Sequence, residues 1–116
     1  GAEHAGLDVA HGGTGIAAPN AYMIRDNNCV GNGVAGSYAG IYISSAGCRV
    51  EGNNCVLNDV GIQVEGVPNL IVANSCRWNS EGASNFVIQA GNDYGQIVAS
   101  PGAAFVNNNP WANFEF

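Results

Sequence analysis

Charge is what this 116-residue chain has least of. Only 10% of its residues are Asp, Glu, Lys or Arg, against about 25% in ordinary globular domains. Its three basic residues are Arg25, Arg49 and Arg77, and the formal net charge is −6. Nucleic-acid binding needs clustered Lys and Arg to neutralise phosphates, so it is excluded as a function class. An anionic membrane surface is disfavoured for the same reason. No apolar run approaches the roughly 20 residues that span a bilayer, and no basic segment precedes an apolar one as in a secretory signal. Cys-x-x-Cys pairs, Cys/His clusters at zinc spacing and a Gly-x-Ser-x-Gly elbow are all missing, which removes the usual signatures of zinc sites and serine hydrolases. His4, Asp8 and His11 are the one compact group of metal-ligand residue types, but their spacing matches neither a zinc motif nor one face of a strand.

What is present is a repeat. Gly40-Ile41-Tyr42-Ile43 returns as Gly61-Ile62-Gln63-Val64, and the block Val50 to Asn58 returns as Ile71 to Asn79. Ile41 to Ile62, Val50 to Ile71, Asn53 to Asn74, Cys55 to Cys76 and Asn58 to Asn79 are each 21 residues apart. A fixed offset of that size marks stacked units, each burying its apolar face only against its neighbours. An earlier copy starts at Gly15-Ile16 and continues through Met23 to Asn32. A later, weaker one starts at Asn85-Phe86-Val87-Ile88. The extra residues fall after the terminal Asn, at 33–39 and 80–84, so insertions collect at one corner.

Val, Ile, Tyr and Phe alternate with polar residues between Gly and Asn punctuation, which is the pattern of short strands. Stacking such units makes each strand parallel to its copy about 4.8 Å away. The expected fold is therefore all-β, a parallel β-helix of about four coils. One domain spans 1–116, with 1–14 a partial N-terminal coil or cap, 15–99 the coils and 100–116 a C-terminal cap. Ile41, Ile43, Ile62 and Val64 point inward, as do Ile24, Val50 and Ile71. Asn27, Asn53 and Asn74 form one side-chain ladder at a bend, where Asn tolerates a left-handed backbone; Asn32, Asn58 and Asn79 form another. Cys29, Cys55 and Cys76 form an inward reduced stack, with a single disulfide as the alternative, and Cys48 is the exposed thiol. Phe105, Trp111, Phe114 and Phe116 cover the last apolar layer, with a carbohydrate-stacking platform as the alternative.

The segments GIYISSAGCRVEGNNCVLN, VGIQVEGVPNLIVANS, AGNDYG and PWANFEF together resemble the C-terminal portion of bacterial right-handed parallel β-helix repeat proteins of the pectate-lyase-like superfamily. The resemblance covers Gly15 to Phe116. It implies a right-handed, single-stranded solenoid and carbohydrate-related biology in a secreted or cell-surface protein. Enzymes of that superfamily use carboxylates on neighbouring coils, with calcium and a basic residue in the lyases.

Acid–base work on a glycosidic bond needs two carboxyls about 5 to 9.5 Å apart. The outward rows here read Arg25, Glu51 and Val72; Tyr42, Gln63 and Val87; and Pro19, Ser44, Glu65 and Gln89. None contains two carboxylates, so no catalytic residue is assigned, and Arg25 above Glu51 is expected as a surface ion pair. Asp26, Asp59, Glu65, Glu81 and Asp93 are scattered acids. Asp93 beside Asn92, Tyr94 and Gly95 is the one place where calcium is considered, short of the six oxygens a hard cation takes. No other cofactor is expected. The leading function is a non-catalytic module for structure, assembly or carbohydrate binding, with Tyr42, Gln63, Glu65 and Gln89 as the candidate polysaccharide surface. The alternative is a small polysaccharide lyase or glycosidase acting along the same residues. Unpaired strand edges at the N-terminal end predict a homo-oligomer that buries them.

Overall fold

The computed structural model describes residues 8–9, 16–18, 21–32, 39–79, 85–99 and 108–116. His4, His11, Pro19, Glu81, Phe105, residues 33–38 of the first insertion and all of the second lie outside them, as do most of the expected N-terminal cap and the first part of the expected C-terminal one. The described residues form fourteen strands and no helix: β1 (Asp8–Val9), β2 (Ile16–Ala18), β3 (Met23–Arg25), β4 (Asn28–Val30), β5 (Ala39–Ile43), β6 (Arg49–Glu51), β7 (Asn54–Val56), β8 (Val60–Val64), β9 (Leu70–Val72), β10 (Ser75–Arg77), β11 (Phe86–Ile88), β12 (Asp93–Tyr94), β13 (Ile97–Ala99) and β14 (Asn113–Glu115). All pairings are parallel.

The strands fall into three sheets, and the chain visits them in rotation. The first face is β2-β5-β8-β11, the second β3-β6-β9-β12 and the third β1-β4-β7-β10-β14-β13. The register follows the sequence repeat, with Ile16 against Ile41, Ile41 against Ile62 and Ile62 against Phe86. Ile41, Ile43, Ile62, Val64, Val50 and Ile71 are buried to 1% exposure or less, and together with Ile24 they fill the space between the faces. The inward expectation holds at each of these positions. Cys29, Cys55 and Cys76 lie in register along the third face, fully buried and unlinked.

Both asparagine ladders are present. Asn27 donates its backbone N–H and its side-chain amide to Asn53 Oδ1, at 3.1 and 3.0 Å, and Asn53 does the same to Asn74. Asn32 donates to Asn58, and Asn58 to Asn79, in the same sense. The amide nitrogens also reach carbonyls of the preceding round, such as Asn53 Nδ2 to Ile24 O at 2.9 Å and Asn58 Nδ2 to Cys29 O at 3.0 Å. Burying an amide this deeply is tolerated because donors and acceptors are engaged along the row. The left-handed backbone expected of the asparagines belongs instead to the residue before each: Asp26, Gly52 and Ala73 in one row, Gly31, Leu57 and Trp78 in the other, with φ between 54° and 69°. A third row, at the corner between the first and second faces, was not foreseen. There the N–H of Cys48 donates to Asn69 Oδ1 at 2.8 Å, and Asn69 donates to Asn92. Cys48 takes the asparagine's place at that corner and is buried, at 2% exposure, rather than exposed as expected.

Among the described residues, the rings of the tail stay largely exposed rather than closing over the last layer. Trp111 and Phe116 are 53% and 45% exposed, and Phe114 is half-buried. β14 instead enters the third face between β10 and β13. Asn113 extends the first ladder, accepting the backbone N–H and amide of Asn74 at 3.0 Å each. Trp111 O accepts the N–H of Ala73, just as Val72 O accepts that of Gly52 and Glu51 O that of Asp26. The tail thus supplies the corner that the fourth round leaves unfilled, and β13 is displaced one strand outward.

Candidate functional site

On the outer side of the first face, strand alternation turns Tyr42 and Gln63 away from the core in adjacent strands, in direct register. Tyr42 Oη donates to Glu65 Oε2 at 2.7 Å, and Gln63 Nε2 donates to Glu65 Oε1 at 2.9 Å. The hydrogen bond to Glu65, followed by desolvation and the carboxylate's charge, raises the Tyr42 phenol above its ordinary value. Three of the four residues picked from the sequence therefore meet in one cluster. Gln89 follows β11 one strand further on, with its backbone N–H on Val64 O. Both carboxylate oxygens of Glu65 are occupied by neighbours, so the cluster reads first as a surface network.

The expected Arg25–Glu51 pair is replaced by two others. Arg25 and Glu51 are in register, but Glu51 accepts from Arg49 Nε on its own strand at 2.7 Å, and Arg25 stands 4.0 Å from Asp26. Arg49 and Glu51 flank inward Val50 and share a face at i, i+2, which gives the shorter reach. The third cation, Arg77, stacks over Trp78 at 3.6 Å and over Phe116 at 5.0 Å from the ring centroids. Val72, expected to face outward in the row of Glu51, is 3% exposed.

A groove of about 460 Å³ opens on the second face, lined by Arg49, Leu70, Val72, Asp93, Tyr94, Gly95, Gln96, Asn109 and Trp111. It lies where the fourth round and the tail part company. β12 runs beside Leu70 and Ile71, and the tail takes over two residues later at Ala73. Leu70 and Val72 give it an apolar floor. Tyr94 and Trp111, 52% and 53% exposed, present aromatic rings, and Asp93, Gln96 and Asn109 bring polar groups. Gly95 is required by contact, since a Cβ there would run into the carbonyl of Trp111. None of Tyr42, Gln63, Glu65 or Gln89 lines this groove. From the sequence, Trp111 is placed in a cap first and a carbohydrate-stacking platform second, and Asp93 at a weak calcium position, without the two being brought into one groove. Trp111-Ala112-Asn113, repeating Val72-Ala73-Asn74, was the available signal.

Among the described residues Asp93 is the one carboxylate on the lining, and Asn92 Oδ1 is committed to Asn69. Among the described residues no group of three or more His, Cys, Asp or Glu side chains gathers as a metal site, and no helix is long and apolar enough to cross a membrane. Comparisons with protein-family models, curated proteins and solved structures gave no match.

Proposed function

We propose that the chain is a right-handed parallel β-helix module that binds carbohydrate in the groove between β12 and the tail without transforming it. The observation that carries this is the pairing of two exposed aromatic rings, Tyr94 and Trp111, with polar side chains around a groove of about 460 Å³. A sugar ring has one apolar C–H face and a rim of hydroxyls. Aromatic rings cover the first, and Asp93, Gln96 and Asn109 suit the second. The volume falls in the usual range for small-molecule sites, about 300 to 1,000 Å³. Hydrolysis would ask for a second carboxyl about 5 to 9.5 Å from the first, and among the described residues the lining has only Asp93.

Support for the β-helix comes from the rotation of strands through three parallel faces and from the ladders, and support for its hand from the right-handedness of parallel crossovers. The family resemblance extends the proposal to a bacterial secreted or surface protein. Self-association through the N-terminal end is supported by the exposed Tyr22 and Met23 at the β3 edge and by the buried Oδ1 of Asn27, which has no hydrogen-bond partner. Light scattering that finds only monomer at high concentration would refute that part.

The binding part is tested by titrating a panel of oligosaccharides and following tryptophan fluorescence. Trp111→Ala should weaken binding about tenfold or more, the scale of one lost aromatic contact with its buried area. Tyr42→Phe and Glu65→Gln should leave it unchanged. Loss of binding in the latter two would move the site to the first face; no bound sugar at all would end the carbohydrate reading.

A further inference from the structure

The charges around the groove do not balance. Arg25, Arg49 and Arg77 are the only Lys or Arg residues of the chain. Arg25 lies beside Asp26, Arg49 Nε is bonded to Glu51, and Arg77 stacks on Trp78 and Phe116. Arg49 is the only one of them on the groove's lining, and its charge is matched by Glu51. Asp93 therefore brings one negative charge that no Lys or Arg among the described residues neutralises. It stands on β12 next to Tyr94, whose half-exposed ring lines the same groove as the ring of Trp111.

We infer that the groove selects a positively charged saccharide, an oligomer of an amino sugar with free amines, over its neutral and acidic counterparts. An ammonium gains from a carboxylate and from the electron-rich faces of Tyr and Trp together. A uronate instead brings its carboxylate next to Asp93 in a chain of net charge −6. An acetylated amine keeps the stacking face and loses only the charge, so comparing the two sugars isolates what Asp93 adds. The inference rests on the carbohydrate reading and specifies the ligand class of that site.

The test is calorimetric titration of the whole chain with three tetrasaccharides, of glucosamine, N-acetylglucosamine and galacturonic acid. The buffer is mildly acidic, so that the sugar amine is charged, and contains a chelator to prevent calcium bridging. The glucosamine tetramer should bind about five- to twentyfold tighter than the acetylated one. Asp93→Asn should cut that preference to below about threefold while leaving affinity for the acetylated tetramer in place. Trp111→Ala should weaken both. Equal affinities for the amine and its acetylated form, a preference for galacturonate, or a preference that survives Asp93→Asn would overturn the inference and leave the carbohydrate reading standing. Failure of all three sugars to bind would overturn both.

Discussion

Removing the amide of Asn53 should cost far more than removing that of Asn27, although the two are stacked members of one row. Asn53 is 1% exposed and sits inside the ladder. Asn53→Ala deletes four side-chain hydrogen bonds: two accepted from Asn27, one donated to Ile24 O and one donated to Asn74 Oδ1. At a net of about 0.5 to 1.5 kcal/mol each, the loss is about 2 to 6 kcal/mol, and the Asn27 N–H is left buried without its acceptor. Asn27→Ala deletes two bonds, to Arg25 O and to Asn53 Oδ1, while the Asn27 N–H still serves Asn53. It also removes a buried Oδ1 that has no partner, which returns part of the loss. The net cost at Asn27 is about 0 to 1.5 kcal/mol, so the two variants should differ by about 3 kcal/mol. Urea unfolding is the assay. At a slope of about 1.5 kcal/mol/M the midpoints separate by about 2 M. Equal midpoints, or an Asn53→Ala variant within about 1 kcal/mol of the parent, would show that the ladder does not hold the corners in the way argued.

Leu57 holds φ at 59° with its side chain 55% exposed. An L-residue pays about 1 to 2 kcal/mol there, part of which glycine repays in chain entropy, so Leu57→Gly should raise thermal stability by about 3 °C and any decrease refutes it. Tyr42 gains stability from its bond to Glu65 that is fully present below the ordinary 10.0 and is lost as pH rises through the higher folded value. Glu65→Gln should shift one of the four tyrosine titrations to lower pH in phenolate absorbance; superimposable curves would contradict this. All four thiols should resist a chromogenic disulfide reagent until the protein unfolds, and one fast native thiol, Cys48 above all, would oppose the burial described. The Cys55 thiol sits well above 9.0: the Cys29 contact lowers it, but Cys76 and full burial outweigh that. Gly95→Ala should displace the Trp111 backbone, cost about 1 to 3 kcal/mol and abolish sugar binding; unchanged binding would show that the tail is not seated by that contact.

The repeat was legible because a stacked parallel strand copies its neighbour's side-chain environment at every position. Asn53 over Asn74 and Ile41 over Ile62 announce themselves wherever the spacing stays at 21. The third row was hidden because its first member is Cys48, whose backbone N–H does the bonding and leaves no asparagine to recognise. The exposure of Cys48 was misjudged for the same reason, since a loop residue at a ladder corner still turns inward. Tyr42, Gln63 and Glu65 were brought together by register alone, which sequence spacing encodes. Arg25 was not paired with Glu51 because register does not fix where a long side chain swings, and Arg49 offers a nearer partner. The groove was least legible of all. It depends on a tail strand 39 residues from its ladder partner, a spacing that the repeat does not contain.

That tail links stability to the proposed site. Without the tail, the first ladder would end at Asn74, and the N–H groups of Asn74 and Ala73 would lose their acceptors Asn113 Oδ1 and Trp111 O. The same segment that satisfies them carries the Trp111 ring to the edge of β9 and forces β13 outward, and this divergence leaves space between β12 and the tail. An ordinary fourth round would have placed its own strand beside β10 and continued the second face without a gap. This wall of the groove is therefore held by backbone hydrogen bonds to the core, which would spare a ligand at the proposed site much of the cost of ordering it. Two contacts anchor it to the core: β14 lies between two strands, and Trp111 O accepts the N–H of Ala73 just before it. The same residues, Trp111 to Asn113, thus complete the ladder and form the wall of the proposed site, so a substitution among them should disturb both together.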